Sequence, residues 1–222
     1  MRKVLILVEG QTEERFVKDV LQPHLWTREV HPEPKIVTTK RVKVGPQFMG
    51  GVSTFHKIDT DIKRLLGDSD AVLVTTMFDY HGLPVDFPGK QNLRGRNSFE
   101  RAKELEAALE EHYDRGPKFL AYLTIHEFEA LLFSSPGVLA QVMNAPTYHS
   151  RLQAIRAQFS TPEEINDDPT TTPSARVLNF FPGYRKRLHG SLTTGRIGLD
   201  TIRRECAHFG EWVVKLESLG ST

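Results

Sequence analysis

Glu9 and Glu13 stand four residues apart in Val8-Glu9-Gly10-Gln11-Thr12-Glu13. Asp79 opens Asp79-Tyr80-His81-Gly82, and Glu127 and Glu129 belong to His126-Glu127-Phe128-Glu129. Each group follows an apolar run. Crowded carboxylates repel one another unless a cation lies between them. Hard divalent cations such as Mg2+ or Mn2+ take oxygen ligands of this kind. Such ions activate water and stabilise charge on a scissile phosphate, and paired ions about 3.5–4 Å apart need bridging acids. The pattern has enough acids for one or two such ions, with Glu9, Glu13, Asp79, Glu127 and Glu129 as candidate ligands.

Taken singly, each residue also has a plainer reading. Glu9 fits a turn residue, and Glu13 fits a helix start, where the positive end of the helix dipole favours acid. Gly10 permits a tight turn or a close phosphate approach. His81 fits a ligand, an acid or base, a phosphate contact or a structural loop residue. Glu127 and Glu129 cannot share one helix face. Either one faces the metal while the other orients a neighbour, or an irregular helix start leaves both near the site, and spacing does not rank them.

The elements that must position these residues follow from periodicity. Val4–Val8 is a continuous apolar run suited to a strand buried on both faces. Thr12 is placed to cap a helix from Glu13, with Pro23 stopping or extending it. Lys35–Val44, after Pro32 and Pro34, reads as a charged edge strand. Gly45, Gly50 and Gly51 form a connection to a helix over 53–66, which Gly67 ends. Ala71–Phe78 is a second buried strand. Ser98 is placed to cap a helix over 99–113, Phe119–Ile125 is the next strand, and His126–Phe133 looks helical. Alternating strands and helices predict an α/β fold with a mostly parallel sheet. The ligand site then lies outside the carboxyl ends of the strands.

Beyond Pro136 the chain predicts short helices, including Val138–Met143 and His149–Phe159. The last helical region, over 199–218, is expected to break near Phe209-Gly210. The expected division is an α/β core over 1–136 and a helical extension over 137–222 packed on it. Asn166, Asp167 and Asp168 suit a capped turn better than a metal site. Ser174 suits a helix cap, Cys206 a buried inert thiol and Tyr184 a packing residue.

Two basic segments could meet phosphate. Lys90, Arg94 and Arg96 lie in the loop after Asp79; Arg176, Arg185, Lys186, Arg187 and His189 lie further on. Arginine can grip phosphate bidentately, and a solvated loop is the plainer reading of the first group.

Val8–Glu13 resembles the first motif of TOPRIM domains, found in topoisomerases, primases and OLD-family nucleases. The chain as a whole resembles the TOPRIM-like DUF4276 family. The stretches that carry this resemblance include Leu7–Glu13, Thr75–Gly89, His126–Phe133, Pro162–Asn166, Pro173–Arg176, Tyr184–Lys186 and Cys206–Phe209 with Trp212. It implies that Glu9 is metal ligand or acid/base, that Glu13 is the additional acid of OLD-type nucleases, and that Asp79 is the first acid of an Asp-x-Asp motif. His81 takes the second acid's place, a departure that leaves Glu127 or Glu129 to compensate. The implied catalytic set is Glu9, Glu13, Asp79 and His81. Gly10, Lys90, Arg94, Arg96, Arg176 and Lys186 are the candidate substrate contacts. DNA or RNA is the implied partner. The genomic-defence setting of relatives implies an ATPase-containing partner protein, and a homodimer is compatible with the sequence.

Composition sets outer limits. The 222 residues carry a formal net charge of +1, which argues against a generic DNA-coating protein but not against a nuclease. The single cysteine, Cys206, rules out an internal disulfide and a cysteine-based zinc cluster. The apolar start is five residues long and ends at Glu9, so it reads as a strand rather than a signal segment. No run approaches the ~18 apolar residues of a spanning helix, and a cytoplasmic location is expected. No G-x-x-x-x-G-K-[ST] loop is present, so the chain is not expected to be an ATPase by itself. The alternative to a nuclease is a non-catalytic subunit that binds nucleic acid or nucleotide.

Overall fold

Along β1 (Arg2–Val8) the side chains alternate between two cores. Val4, Ile6 and Val8 enter one, Leu5 and Leu7 the other, and all five are 0–1% exposed. A strand apolar on both faces needs a cover on each face, which is why the run is continuous rather than alternating. The computed structural model describes residues 1–38, 54–114, 116–165, 168 and 170–221 of the chain.

The remaining elements follow in chain order. A helical segment comprises α1 (Gln11–Phe16), a π-turn over Val17–Leu21 and α2 (Gln22–Trp26). After it come β2 (Val30–Ile36), α3 (Phe55–Leu66), β3 (Ala71–Asp79), α4 (Ser98–His112) and the short strands β4 (Phe119–Leu120) and β5 (Leu123–Thr124). Among the described residues all strand pairings are parallel, in the order β2-β1-β3-β4, with β5 also against β3. The predicted α/β class with a mostly parallel sheet is therefore the observed one. Helices α3 and α4 cover the Leu5/Leu7 face. The other face is covered by α1 and by helices from the second half of the chain. These are α5 (Pro136–Val142), α6 (His149–Arg156), α7 (Pro173–Phe180), α8 (Ser191–Ile197), α9 (Leu199–Glu205) and α10 (Ala207–Ser218). Helix α10 is tied to the sheet at Trp212. Its indole donates to Thr75 Oγ1 at 3.0 Å, and the ring stacks on Tyr122 with centroids 4.3 Å apart.

Several local expectations need correction. The edge strand begins at Val30 and contains Pro32 and Pro34 rather than following them. An edge strand tolerates proline where the missing N–H would face away from its neighbour. The Pro32 carbonyl accordingly accepts from Gln22 Nε2 at 3.0 Å instead of joining the ladder. The remainder of the expected strand, over 39–44, and the glycines at 45, 50 and 51 lie outside the described residues. The strand expected over 119–125 is split at Ala121-Tyr122. There side chains replace the ladder: Ala121 N donates to Glu110 Oε1 at 3.0 Å and Tyr122 N to Thr76 Oγ1 at 2.9 Å.

The expected caps are displaced by one or two residues. Gly10 precedes α1, and Thr12 is buried within its first turn. Asn97, not Ser98, caps α4 by accepting from Glu100 N at 2.8 Å. Thr172, not Ser174, caps α7. Asp168 does form a turn, accepting from Thr170 N at 2.7 Å; Asn166 and Asp167 lie outside the described residues.

The break in the last helical region falls at Cys206, and Gly210 is inside α10. The buried Glu163 explains the new start, accepting from His208 N and Phe209 N, each at 3.0 Å. Those are two of the amides that a helix start leaves unsatisfied. Gly210 serves packing rather than breakage, since a Cβ there would lie 2.7 Å from the Arg203 carbonyl oxygen. Gly210→Ala is therefore expected to destabilise the protein by about 1–3 kcal/mol, the usual cost of overpacking. Urea unfolding measures it, and an unchanged midpoint would contradict this account.

Candidate functional site

The carboxyl ends of β1 and β3 deliver Glu9 and Asp79 side by side. Glu9 Oε1 accepts from the Asp79 backbone N–H at 3.0 Å, so one acid is held by the backbone of the next. Gly82 makes room for this, because a Cβ there would come within 3.0 Å of Glu9 Oε1. Glu13 enters from the first turn of α1 and is buried.

The segment after β5 is not the helix expected over His126–Phe133. His126 adopts a left-handed φ of 63°, Glu127 is extended, and a 3-10 turn runs over Phe128–Ser134. The reversal aims the Phe128 N–H at Asp79 Oδ1, 2.8 Å away. It also separates the two glutamates. Glu129 is buried in the site, where its Oε1 accepts from the Tyr184 hydroxyl at 3.3 Å. Glu127 lines the same cleft while accepting from Ser174 N at 2.9 Å, which ties it to the start of α7.

Lys186 is the hub of the arrangement. It begins a π-turn over Lys186–Gly190, and its ammonium reaches Asp79 Oδ2 at 3.0 Å, Glu129 Oε2 at 3.4 Å and Glu13 Oε1 at 3.5 Å. A cleft of about 500 Å³ opens over the group. His81 stands exposed at its side, its Nε2 3.4 Å from Nδ1 of the buried His126.

The electrostatics follow from three carboxylates around one ammonium, with Glu9 beside them. Burial pushes Glu9 well above the usual carboxylate range, and Asp79 and Glu13 push it further. Burial also raises Glu13, against the pull of Lys186. Glu129 rises to about 7, chiefly through burial. Burial alone would lower Lys186, but Asp79, Glu129 and Glu13 outweigh it and hold the ammonium charged. Burial and the neighbouring Glu129 push the Tyr184 hydroxyl far up, so it remains a donor.

The residues suit a hard divalent cation in chemistry. All the donors are carboxylate oxygens, negative charge is in excess, and buried Glu129 Oε2 has no hydrogen-bond partner. They are not gathered on one point, because among the described residues no three acids or histidines form a ready ion site. The acids converge on an ammonium instead.

Of the expected substrate contacts, Gly10 adjoins the acids and Lys186 lies among them. Lys90, Arg94, Arg96 and Arg176 do not line the cleft. Lys90 is bonded to the Leu83 carbonyl, and Arg176 Nε donates to Thr171 O at 2.8 Å. Arg94 and Arg96 are exposed on a loop whose amides bond Glu104 and Glu100. Sequence reasoning missed the cleft roles of Gly82, Ser174 and Tyr184. Gly82 carried a local signal, as a glycine three residues after a strand-end acid, whereas Ser174 and Tyr184 were marked only by lying in stretches that carry the family resemblance.

The model of a family described as a domain of unknown function, DUF4276, matches residues 8–217. The chain belongs to the DUF4276 family. No curated protein matches this DUF4276 chain. Among solved structures it is similar to the C-terminal region of the Burkholderia pseudomallei OLD protein, with 16% identity and a TM-score of 0.47, covering 98% of this chain and 99% of that one. It is also similar to the C-terminal region of the Xanthomonas campestris pv. campestris OLD protein, with 16% identity and a TM-score of 0.39, covering 95% of each. No described helix of the DUF4276 chain is long and apolar enough to cross a membrane.

Proposed function

We propose that the chain is a metal-dependent nuclease that hydrolyses phosphodiesters of DNA or RNA in the cleft above Glu9 and Asp79. The observation that carries this reading is the convergence of Glu13, Asp79 and Glu129 from separate segments onto one ammonium beneath an open cleft, with Glu9 held beside them on the Asp79 backbone N–H. That much negative charge suits Mg2+ or Mn2+, with Glu9, Asp79 and Glu129 as first ligands, Glu13 beside them and Glu127 at the edge. The ion would activate water and stabilise charge on the phosphate. Of the chain's own groups, His81 stands exposed at the cleft wall, where it can give or take a proton at a phosphate oxygen. Lys186 adds positive charge beside the same oxygens. The defence setting, an ATPase-containing partner and the division of the chain near residue 136 belong to the same proposal.

The test is incubation of purified protein with linear, supercoiled and single-stranded DNA and with RNA, under Mg2+, Mn2+ or chelator. Cleavage that needs metal and vanishes in Glu9→Gln and Asp79→Asn supports the reading. Cleavage that survives both substitutions overturns it. One observation favours the second reading, a non-catalytic nucleic-acid- or nucleotide-binding subunit: Lys186 already neutralises part of the cluster without any ion. Binding that persists in chelator, with no cleavage under either metal, would select it.

A further inference from the structure

We infer that Lys186 is a resident counter-ion of the acid cluster, and that a divalent cation enters by exchanging with its ammonium. The inference rests on the proposed metal site and adds how that site is loaded. One ammonium lies 3.0–3.5 Å from carboxylates of α1, β3 and the 3-10 turn after β5. These oxygens surround the ammonium, and a hard cation drawn to the same negative charge would compete with it for them. Two cations at contact distance from the same oxygens repel each other strongly in a partly buried site. Leaving the acids with neither cation is also costly, since buried like charges would stand uncompensated. Exchange of one cation for the other avoids both costs.

The geometry gives Lys186 a way out. Its side chain is 38% exposed, whereas those of Glu13, Asp79 and Glu129 are 2–11% exposed. The acids are fixed by elements on both sides, and the lysine reaches them from the helical layer through a flexible stem. Its departure exposes Oε2 of Glu129, which has no other partner. The ammonium then lies toward the cleft, on the side from which a phosphate would approach.

The exchange makes a distinctive prediction for Mn2+ binding measured by calorimetry on the full chain. Removing a competing cation, as in Lys186→Met and Lys186→Gln, is expected to tighten Mn2+ binding about ten- to a hundredfold, the range usual for coupling between two ligands. Without metal the same variants should melt at lower temperature than wild type, and Mn2+ should restore them. Binding that is unchanged or weaker in a folded variant overturns the exchange, and wild-type cleavage that still needs metal would leave the nuclease reading standing. If no form of the protein binds Mn2+, both fail.

Wild-type protein supplies a second readout that needs no variant to fold. In lysine side-chain 15N spectra, chelator should preserve one slowly exchanging ammonium, and saturating Mg2+ should abolish it. Its persistence at saturation would refute the exchange.

Discussion

Asp79→Asn is expected to reduce metal-dependent cleavage by about three orders of magnitude, corresponding to several kcal/mol of lost transition-state stabilisation. The size follows from what each oxygen does. Oδ1 accepts from Phe128 N at 2.8 Å, a bond the amide oxygen of asparagine can keep. Oδ2 meets Lys186 at 3.0 Å, and there asparagine would present an N–H to a cation. The substitution thus preserves the anchor of the reversed segment while removing the charge and one ligand. The fold should tolerate it. Asp79 is one of the charges that raise Glu9, so its neutralisation relieves that neighbour. The check is cleavage rate and Mn2+ affinity on the same preparation. A large loss of rate with affinity weakened and melting little changed fits a ligand. A large loss of rate with affinity unchanged would assign Asp79 to substrate rather than metal.

Asp79 and Glu9 were legible in the sequence because a buried parallel strand leaves a strong trace. Runs such as Val4–Val8 and Ala71–Phe78 leave little doubt where the chain exits the sheet, and the site lies at that exit. The same logic failed after β5. The apolar run there is interrupted by side-chain bonds from Glu110 and Thr76, and the left-handed turn at His126 has no marker such as glycine. Periodicity over Phe128–Phe133 could not distinguish a buried 3-10 turn from an α-helix, and so could not rank Glu127 against Glu129. Lys186 was legible as a basic candidate for substrate contact, not as a partner of the acids. Its partner Asp79 lies 107 residues away, and nothing in local spacing encodes a contact across two layers. The loop basics misled for the complementary reason. Lys90, Arg94 and Arg96 are near Asp79 in sequence, yet Lys90 is bonded to the Leu83 carbonyl and the loop is held to α4 by Glu100 and Glu104. Proximity along the chain placed them beside the site, and the fold turned them away.

The metal-free protein is expected to be more stable at pH 5.5 than at pH 8 by about 2 kcal/mol, and metal should reverse the order. Burial raises Glu129 from its ordinary 4.5 to about 7. A carboxyl raised in the fold binds its proton more tightly there than in the unfolded chain. The resulting stability is fully present below pH 4.5 and is lost as pH rises through about 7. The full shift is worth about 3 kcal/mol, and the part between pH 5.5 and 7 is about 2. Glu9 and Glu13 are raised as well and act in the same direction. Asp59, Asp68 and Glu217 are lowered, so their contributions fade only below the ordinary carboxyl range and do not enter this window. His189 opposes the trend. Burial and then Arg185 depress it, so its contribution is lost on acidification below its ordinary 6.5. Urea unfolding in chelator at the two pH values measures the sum. Glu129→Gln should flatten the slope and stabilise the protein at pH 8, since the amide oxygen can still accept from Tyr184. Saturating Mn2+ should stabilise wild type more at pH 8 than at pH 5.5, because ligands must be deprotonated to bind. Stability that rises with pH in chelator, or a metal gain equal at both values, would mean that Glu129 is charged in the apo fold despite its burial.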